Sequence, residues 1–181
     1  IIPIASKKEG VVEKCEEVKS MLENADLRIK LDNSNNTPGW KFNEYEMKGV
    51  PLRLEIGPRD IENGIATAVR RDTHEKVQLN LNNIVEEVKD LLAEIQSNML
   101  KQAEEVLSNS IVETNDYNEM VNAVDNKKVA LSYHCGNADC EEEIRQKTTI
   151  KTRVIHSYCD SEKCIYCGKP SKYKVYFGKQ Y

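Results

Sequence analysis

The distribution of cysteine is the strongest constraint on how this chain can fold. Five of the six cysteines fall in the last 47 residues, and four of them form two close pairs, Cys135–Cys140 and Cys164–Cys167. Pairs with this spacing can turn their thiolates toward one tetrahedral ion at about 2.3 Å. Four protein sulfurs leave no coordination position for a reacting water, so the pattern predicts a structural zinc site on these four cysteines.

Other uses of the same residues are open at this stage. Disulfides would require an oxidising compartment, and nothing in the sequence indicates export. Cys159, His134 and His156 lie near the two pairs, and each could replace one cysteine as a ligand. A thiol redox protein built on Cys164 and Cys167 would instead require an exposed thiol of low pKa.

Charge and hydropathy limit how this chain could bind nucleic acid or a membrane. The chain of 181 residues has a net charge of −4, so a nucleic-acid contact would be local rather than spread over a positive surface. Residues 41–76 hold seven basic and seven acidic side chains, whereas residues 81–109 hold two lysines and six acidic side chains. No apolar run approaches the roughly 18–20 residues that cross a bilayer. We therefore expect a cytoplasmic protein without a membrane partner.

Residues 1–108 alternate between helix and strand patterns, which predicts an α/β domain with a mixed sheet. Apolar residues recur at helical spacing from Val11 to Leu22, which predicts a helix over residues 9–24 with Cys15 as an inert core thiol. The other predicted elements are a strand at Leu27–Leu31, a helix from Thr37 to Gly49, strands at Pro51–Ile56, 64–70 and Lys76–Leu79, a turn at Asp72–Glu75, and a helix with an apolar face from Ile84 to Val106. In the strand at 51–56, alternation places Arg53 and Glu55 outward.

Residues 109–181 are predicted to form a smaller α+β zinc-binding domain. The polar stretch Ser108–Asp116 is interpreted as the junction, followed by a short helix from Tyr117 and strands at Val129–Tyr133 and Val175–Phe177. A domain of about 70 residues is only marginally stable through its own core. A closed metal site would supply much of its folding free energy.

A stretch of the first domain, Thr37 to Asp60, resembles a known family. It contains Trp-Lys-Phe at 40–42, Lys-Gly-Val-Pro-Leu-Arg at 48–53 and Gly-Pro-Arg-Asp at 57–60. These motifs closely resemble the anticodon-binding domain of prolyl-tRNA synthetases of the archaeal and eukaryotic type. The two cysteine pairs and the chain end Phe177-Gly-Lys-Gln-Tyr181 extend the resemblance over essentially the whole chain.

The resemblance implies recognition of tRNA(Pro), whose second and third anticodon bases are guanines. Guanine offers O6 and N7 acceptors to an arginine fork, and N1–H and N2–H donors to a carboxylate. The positions that match the family's anticodon-reading residues are Glu46, Arg53, Arg59 and Lys76. The resemblance also implies a structural Zn²⁺ on the four cysteines, and a terminal Tyr181 that reaches toward a catalytic domain. The parent would be a homodimeric, class II proline–tRNA ligase that uses ATP and Mg²⁺.

Catalysis is not expected within these residues. The sequence has no P-loop and no glycine-rich strand leading to the arginine of a class II active site. Because Ile1 to Ile4 read as a strand that starts in mid-protein, we interpret the chain as a C-terminal fragment. The alternative is a stand-alone zinc-stabilised RNA-binding or regulatory protein derived from a synthetase. The site residues have an alternative of their own, in which Arg53 and Glu55 are cross-strand surface partners worth a fraction of a kcal/mol and Lys76 is solvated strand surface.

Overall fold

The computed structural model describes residues 1–179, which divide into two compact units between Lys101 and Gln102. The first unit contains β1 (Ile2–Pro3), α1 (Val11–Glu23), α2 (Pro38–Met47), β2 (Leu52–Ile56), α3 (Pro58–Glu62), β3 (Ile65–Arg70), β4 (Lys76–Asn80) and most of α4 (Ile84–Ser110). The second contains β5 (Ile111–Glu113), α5 (Tyr117–Asp125), β6 (Val129–His134), α6 (Ala138–Thr148), β7 (Lys151–Tyr158) and β8 (Tyr173–Gly178). The expected docking of Tyr181 lies outside the described residues.

The predicted α/β class is confirmed, because each unit is built on a mixed four-stranded sheet. The first sheet has the order β1-β2-β3-β4, with β1 parallel to β2 and the other neighbours antiparallel. The second has the order β5-β6-β8-β7, with β5 parallel to β6 and the other neighbours antiparallel. Within residues 1–179, no helix has the length and apolar character needed to cross a membrane.

Helices α1 and α4 pack with the first sheet in one hydrophobic core. The helix predicted over residues 9–24 is confirmed, and its buried stripe includes Cys15. Burial raises the pKa of the Cys15 thiol to about 11, as expected of an inert core cysteine. The predicted long helix is confirmed as α4; it is buried as far as Ile95, whereas Met99 and Val106 on its apolar face are exposed.

The segment Leu27–Leu31 does not form the predicted strand. The amino group of Ile1 donates to the Lys30 carbonyl at 2.7 Å, and the Asp32 N–H donates to the Ile1 carbonyl at 3.0 Å. These bonds follow the pattern of parallel pairing, but only Ile1 takes part, so no ladder develops. An open cleft of about 580 Å³ is lined by this segment and by the start of β2.

The second unit was predicted less completely. The polar stretch Ser108–Asp116 is not only a junction, because it contains β5, which pairs in parallel with Val129–Leu131. The helix from Tyr117 and the two predicted strands are confirmed as α5, β6 and β8. Helix α6 and strand β7 were not predicted, since α6 buries only Cys140 and Ile144 and β7 is largely exposed.

Candidate functional sites

The register of the first sheet brings three of the four predicted RNA-reading residues together. Arg53 on β2 lies opposite Val69 on β3, and Val69 lies opposite Lys76 on β4. Residues directly opposite each other share one face of a sheet, so Arg53 and Lys76 lie in one row. Glu46 joins them from the last turn of α2, with its Oε1 2.7 Å from Nη1 of Arg53.

Arg53 is the centre of this group. Its Nη1 donates to Glu46, while Nε and Nη2 lie 3.0 Å from Oε1 of Glu55. The guanidinium carbon is 4.0 Å from the ring centroid of Phe42, one turn before Glu46 on α2. These contacts leave the Arg53 side chain only 11% exposed. Arg53 therefore fixes α2 and two carboxylates against the sheet, and its fork is not open in the free protein.

Glu55 is part of this site, although it was not among the predicted RNA-reading residues. The sequence predicts an outward position for Glu55 and offers it as a surface partner of Arg53, but the side chain is buried, and its Oε2 is 3.4 Å from Nζ of Lys76. Alternation identifies the face of a strand and not what covers that face. The pairing of Arg53 with Glu55 could be predicted, since residues two apart on a strand lie on the same side, but its burial could not.

The three predicted residues differ in what they present to solvent. The side chains of Glu46 and Lys76 are 40% and 62% exposed, so a carboxylate and an ammonium group flank the shielded Arg53. No hydrogen bond involves Oε2 of Glu46 among residues 1–179. The exposed polar edge of this site is therefore made mainly by Glu46 and Lys76.

Arg59 is not part of this group. It lies exposed on α3, and its side chain makes no ion pair with the described residues. The neighbouring Asp60 fixes the turn instead, since its Oδ2 accepts the Gly57 N–H at 2.8 Å and its Oδ1 accepts the Thr67 hydroxyl at 3.2 Å. Arg59 is free to meet a ligand, but the structure does not position its guanidinium.

The four predicted metal ligands lie together in the second unit. Cys135 follows β6, Cys140 lies in the first turn of α6, and Cys164 and Cys167 lie in the β7–β8 connection. The Sγ atoms are 3.8 Å apart in the Cys140–Cys164 pair and 3.7 Å apart in the Cys135–Cys167 pair. In a tetrahedral site with metal–sulfur bonds of about 2.3 Å, neighbouring sulfurs are about 3.8 Å apart. These two distances match that spacing, but Cys167 is not in the group of donor atoms that all lie within 4.8 Å of one another.

His134 belongs to the same neighbourhood. Donor atoms of His134, Cys135, Cys140 and Cys164 all lie within 4.8 Å of one another, so this group can hold a metal ion. The His134 side chain is 3% exposed, and its Nδ1 accepts the Gly136 N–H at 3.1 Å. Its buried Nε2 has no hydrogen-bond partner among the described residues. Burial lowers the pKa of His134, which favours the neutral ring that a metal requires.

The pKa values of the Cys140 and Cys164 thiols are shifted in opposite directions. Burial raises the pKa of Cys140, and the nearby sulfur of Cys164 raises it further. Burial acts in the same direction on Cys164, but the backbone N–H groups of Cys167, Tyr166 and Cys135 outweigh it and lower the pKa of Cys164 to about 7. A thiolate is the form that binds metal.

Two other candidate ligands lie outside this cluster. His156 is exposed, with its ring against Tyr176 and its Nδ1 3.3 Å from the Ser157 hydroxyl. The Cys159 sulfur is 3.5 Å from the Ser161 hydroxyl. Neither residue belongs to the group of close donor atoms found within residues 1–179.

The comparisons with known proteins match two parts of the chain separately. A family model described as an anticodon binding domain matches residues 1–91. The chain belongs to the anticodon-binding domain family. A second model, described as the C-terminal part of prolyl-tRNA synthetase, matches residues 117–181. The anticodon-binding domain thus contains Glu46, Arg53, Arg59 and Lys76, and the C-terminal match contains the four cysteines.

Several relatives align with the whole chain, and three of them are described as proline–tRNA ligases. The chain is 44% identical to a proline–tRNA ligase of Acetoanaerobium sticklandii, 42% identical to one of Ruminiclostridium cellulolyticum and 40% identical to one of Clostridium novyi. Each alignment covers 100% of this chain and 38% of the relative. The chain therefore spans about two fifths of the length of these relatives. The resemblance to prolyl-tRNA synthetases is confirmed.

Proposed function

We propose that this chain recognises the anticodon of tRNA(Pro) and forms the zinc-stabilised C-terminal region of a proline–tRNA ligase. In this proposal, ATP- and Mg²⁺-dependent joining of proline to tRNA takes place in a catalytic domain outside these 181 residues. The complete enzyme is a cytoplasmic homodimer, and Tyr181 extends toward its catalytic domain. The observation that carries the proposal is the meeting of Glu46, Arg53 and Lys76 on one face of the anticodon-binding domain.

The geometry suits guanine in an unpaired loop. Loop bases can be splayed out and read on their Watson–Crick and Hoogsteen edges. Glu46 is held through Oε1 by Arg53, which leaves Oε2 to accept N1–H or N2–H of a guanine. Lys76 approaches Glu55 only at 3.4 Å and is mostly exposed, so it can turn toward O6, N7 or a phosphate. In this arrangement Arg53 first positions Glu46 and donates to a base only if one of its ion pairs opens.

Arg59 has a separate part in this proposal. Its exposed position on α3, after the Gly57–Pro58 turn, allows it to reach a second base or the backbone of the loop. An arginine without an intramolecular ion pair loses no internal contact when it binds a phosphate or guanine. We therefore assign Arg59 to a contact that forms only when RNA is bound.

The binding experiment uses fluorescently labelled tRNA(Pro) transcripts and the full 181-residue chain. We expect salt-dependent binding that weakens by about 1–3 kcal/mol when either anticodon guanine is replaced by adenine. Arg59→Ala should weaken binding by about 1–3 kcal/mol. Arg145→Ala removes an exposed arginine of α6 in the second unit and serves as the control. If changed and unchanged transcripts bound with equal affinity, the chain would not be specific for the anticodon.

For the metal, we propose Zn²⁺ bound by Cys135, Cys140, Cys164 and Cys167. Such an ion would stabilise the fold without offering a position to a substrate. His134 is the competing fourth ligand, because it lies in the close donor group while Cys167 is exposed. The two ligand sets share three thiolates and differ only in the fourth donor.

Cobalt substitution separates these ligand sets. Four thiolates and three thiolates with one imidazole give different visible absorption bands from tetrahedral Co²⁺. The proposal expects Cys167→Ser to change the spectrum and weaken metal binding, while His134→Ala leaves the spectrum of the four-thiolate site. The opposite result, with the spectrum changed by His134→Ala and preserved in Cys167→Ser, would assign the fourth position to His134.

A further inference from the structure

The segment from β7 to β8 has a charge that no part of the proposed function uses. Residues 151–179 contain seven basic and two acidic side chains, an excess of five positive charges in a chain whose net charge is −4. Two of the lysines are paired within the described residues, Lys174 with Glu113 and Lys179 with Asp125. Five have no ion pair there: Lys151, Arg153, Lys163, Lys169 and Lys172.

Three of these unpaired lysines gather where β7 and β8 are connected. Lys163 lies opposite Pro170 in an isolated antiparallel bridge, and the Cys164 N–H donates to the Lys169 carbonyl at 2.8 Å. The Cys159 N–H donates to the Lys172 carbonyl at 3.1 Å. These backbone hydrogen bonds hold the two ends of the connection against each other, and all three lysines are exposed.

An aromatic pair lies beside these lysines. Tyr158 is 80% exposed, and its ring centroid is 5.4 Å from that of Tyr173 on the adjacent strand. Nζ of Lys172 is 5.2 Å from the Tyr173 ring centroid. Tyr173 also packs on the loop after β6, where a Cβ at Gly136 would approach its ring to 2.7 Å. Tyr158 is therefore held by a well-packed neighbour, Tyr173, while its own ring stays exposed. Such exposure is notable because a tyrosine ring usually gains stability from burial.

We propose that Tyr158, Lys163, Lys169 and Lys172, here called the lysine tip, form a second RNA contact. Tyr158 stacks on an unpaired base, and the three ammonium groups neutralise neighbouring phosphates. A stacking ring among unpaired basic groups is the arrangement that binds single-stranded nucleic acid without reading its sequence. The inference rests on the proposed function for the identity of the RNA. It adds a binding surface in the unit to which only metal binding was assigned.

One other use of these lysines has to be separated from RNA binding. Four thiolates and one Zn²⁺ carry a net charge of −2, and Lys163 and Lys169 flank the ligands Cys164 and Cys167. If the lysines only offset that charge, their removal should loosen the metal and leave RNA affinity unchanged. The metal content of each variant therefore belongs to the test.

The test measures binding of labelled tRNA(Pro) to the full chain between 50 and 200 mM salt. Tyr158→Ala should weaken binding by about fivefold or more, whereas Tyr158→Phe, which keeps the ring, should retain most of the affinity. The double variant Lys169→Ala/Lys172→Ala should reduce the slope of log affinity against log salt by about 1.4, because two phosphate contacts are lost.

The matched control is Lys127→Asn/Lys128→Ala. These lysines are exposed and without ion pairs among the described residues, and they precede β6 at the end of the sheet away from Tyr173. Lys127 has φ 63°, a left-handed conformation that asparagine tolerates. The control removes the same charge from the same unit and should change the slope by less than half as much.

Three outcomes would overturn the inference. They are equal losses in the control and tip variants, affinity unchanged in Tyr158→Ala, or zinc loss in the lysine variant without a change in RNA affinity. The tip variants should weaken unchanged transcripts and guanine-to-adenine transcripts by the same factor, because the tip does not read the anticodon. If the unmodified chain bound unchanged and guanine-to-adenine transcripts equally well, the proposed function would fail rather than this inference.

Discussion

The two sites of this protein satisfy their charged and polar groups in opposite ways. On the first sheet, Glu46, Arg53, Glu55 and Lys76 neutralise one another, and the site is complete without a ligand. In the second unit, the sulfurs of the four proposed ligands form two close pairs, 3.7 and 3.8 Å apart. The first arrangement is assembled by folding alone, whereas the second can hold an ion, which in our proposal completes the folding of that unit.

The largest expected effect is therefore the loss of the metal. Structural zinc contributes about 10–16 kcal/mol in small zinc-binding peptides at neutral pH, which exceeds the usual stability of a small domain. We expect chelation, or Cys164→Ser, to unfold residues 111–178 while the first unit stays folded. Hydrogen exchange would report the second unit. Fluorescence of Trp40, the only tryptophan, would report the first.

The matched control for that experiment is Cys159→Ser, which removes a thiol outside the cluster. It should keep one zinc per chain and the native hydrogen-exchange protection of β8. If Cys164→Ser kept both its zinc and its hydrogen-exchange protection, the metal would not be needed for this unit to fold.

The next largest effect tests whether the first site is held together by its own ion pairs. Arg53→Ala leaves buried Glu55 with only Lys76, at 3.4 Å. Because an undercompensated carboxylate is costly to bury, the free energy of unfolding of the first unit should fall by about 1–3 kcal/mol. Urea unfolding of the zinc-loaded protein, followed by Trp40 fluorescence, gives this value.

Two further variants separate charge from packing at Arg53. Arg53→Ala/Glu55→Gln should recover part of the lost stability, because no buried charge is left unpaired. Arg71→Ala removes an exposed arginine whose Nε donates to the Glu46 carbonyl at 3.2 Å, and should cost about 0.5 kcal/mol or less. A double variant as unstable as the sum of its single changes would show that Arg53 acts through packing on Phe42 instead.

A smaller effect concerns the support of α2, which carries Glu46. The Asp32 carboxylate accepts hydrogen bonds from the Ser34 N–H at 2.9 Å and the Tyr45 hydroxyl at 3.0 Å, and Nζ of Lys41 is 3.5 Å away. Burial alone would raise the pKa of Asp32, but these hydrogen bonds and the Lys41 charge outweigh it and lower the pKa from 3.8 to about 2.

Because the folded-state pKa is depressed, this stabilisation is present above pH 4 and is lost as the pH falls from 4 through 2. It corresponds to about 2 kcal/mol, so Asp32→Asn should be less stable than the unmodified chain at pH 5, with the difference shrinking toward pH 2. Urea unfolding at several pH values measures it. Asp90→Asn removes an exposed carboxylate of α4 and should show no such convergence. A constant deficit for Asp32→Asn would exclude this ionisation as its cause.

The sequence predicted what local spacing determines. The helical stripe that buries Cys15, the strands that carry Arg53 and Lys76, and the cysteine pairs all follow from periods of two or four residues or from short motifs. The sequence could not show that Arg53 would lie under α2 and over Glu55. That arrangement depends on the packing of two elements and on the register of three strands.

The errors have the same origin. Leu27–Leu31 has strand periodicity, but a strand also needs a partner, and only Ile1 is available beside it. Helix α6 has weak periodicity because charged residues surround its two buried positions, Cys140 and Ile144. His134 was left as one of three alternatives to a cysteine ligand, since adjacency to Cys135 does not reveal which way its ring turns.

The most direct test of the central claim is a double-mutant cycle between Glu46 and the anticodon. Glu46→Gln is combined with tRNA(Pro) transcripts in which one anticodon guanine is replaced by inosine, which lacks only the N2 amino group. If Glu46 accepts a hydrogen bond from that group, the unmodified chain loses about 1 kcal/mol or more at one position, and the Glu46→Gln chain loses much less there. Additive losses at both positions would contradict the claim that Glu46 reads the N2 amino group of an anticodon guanine.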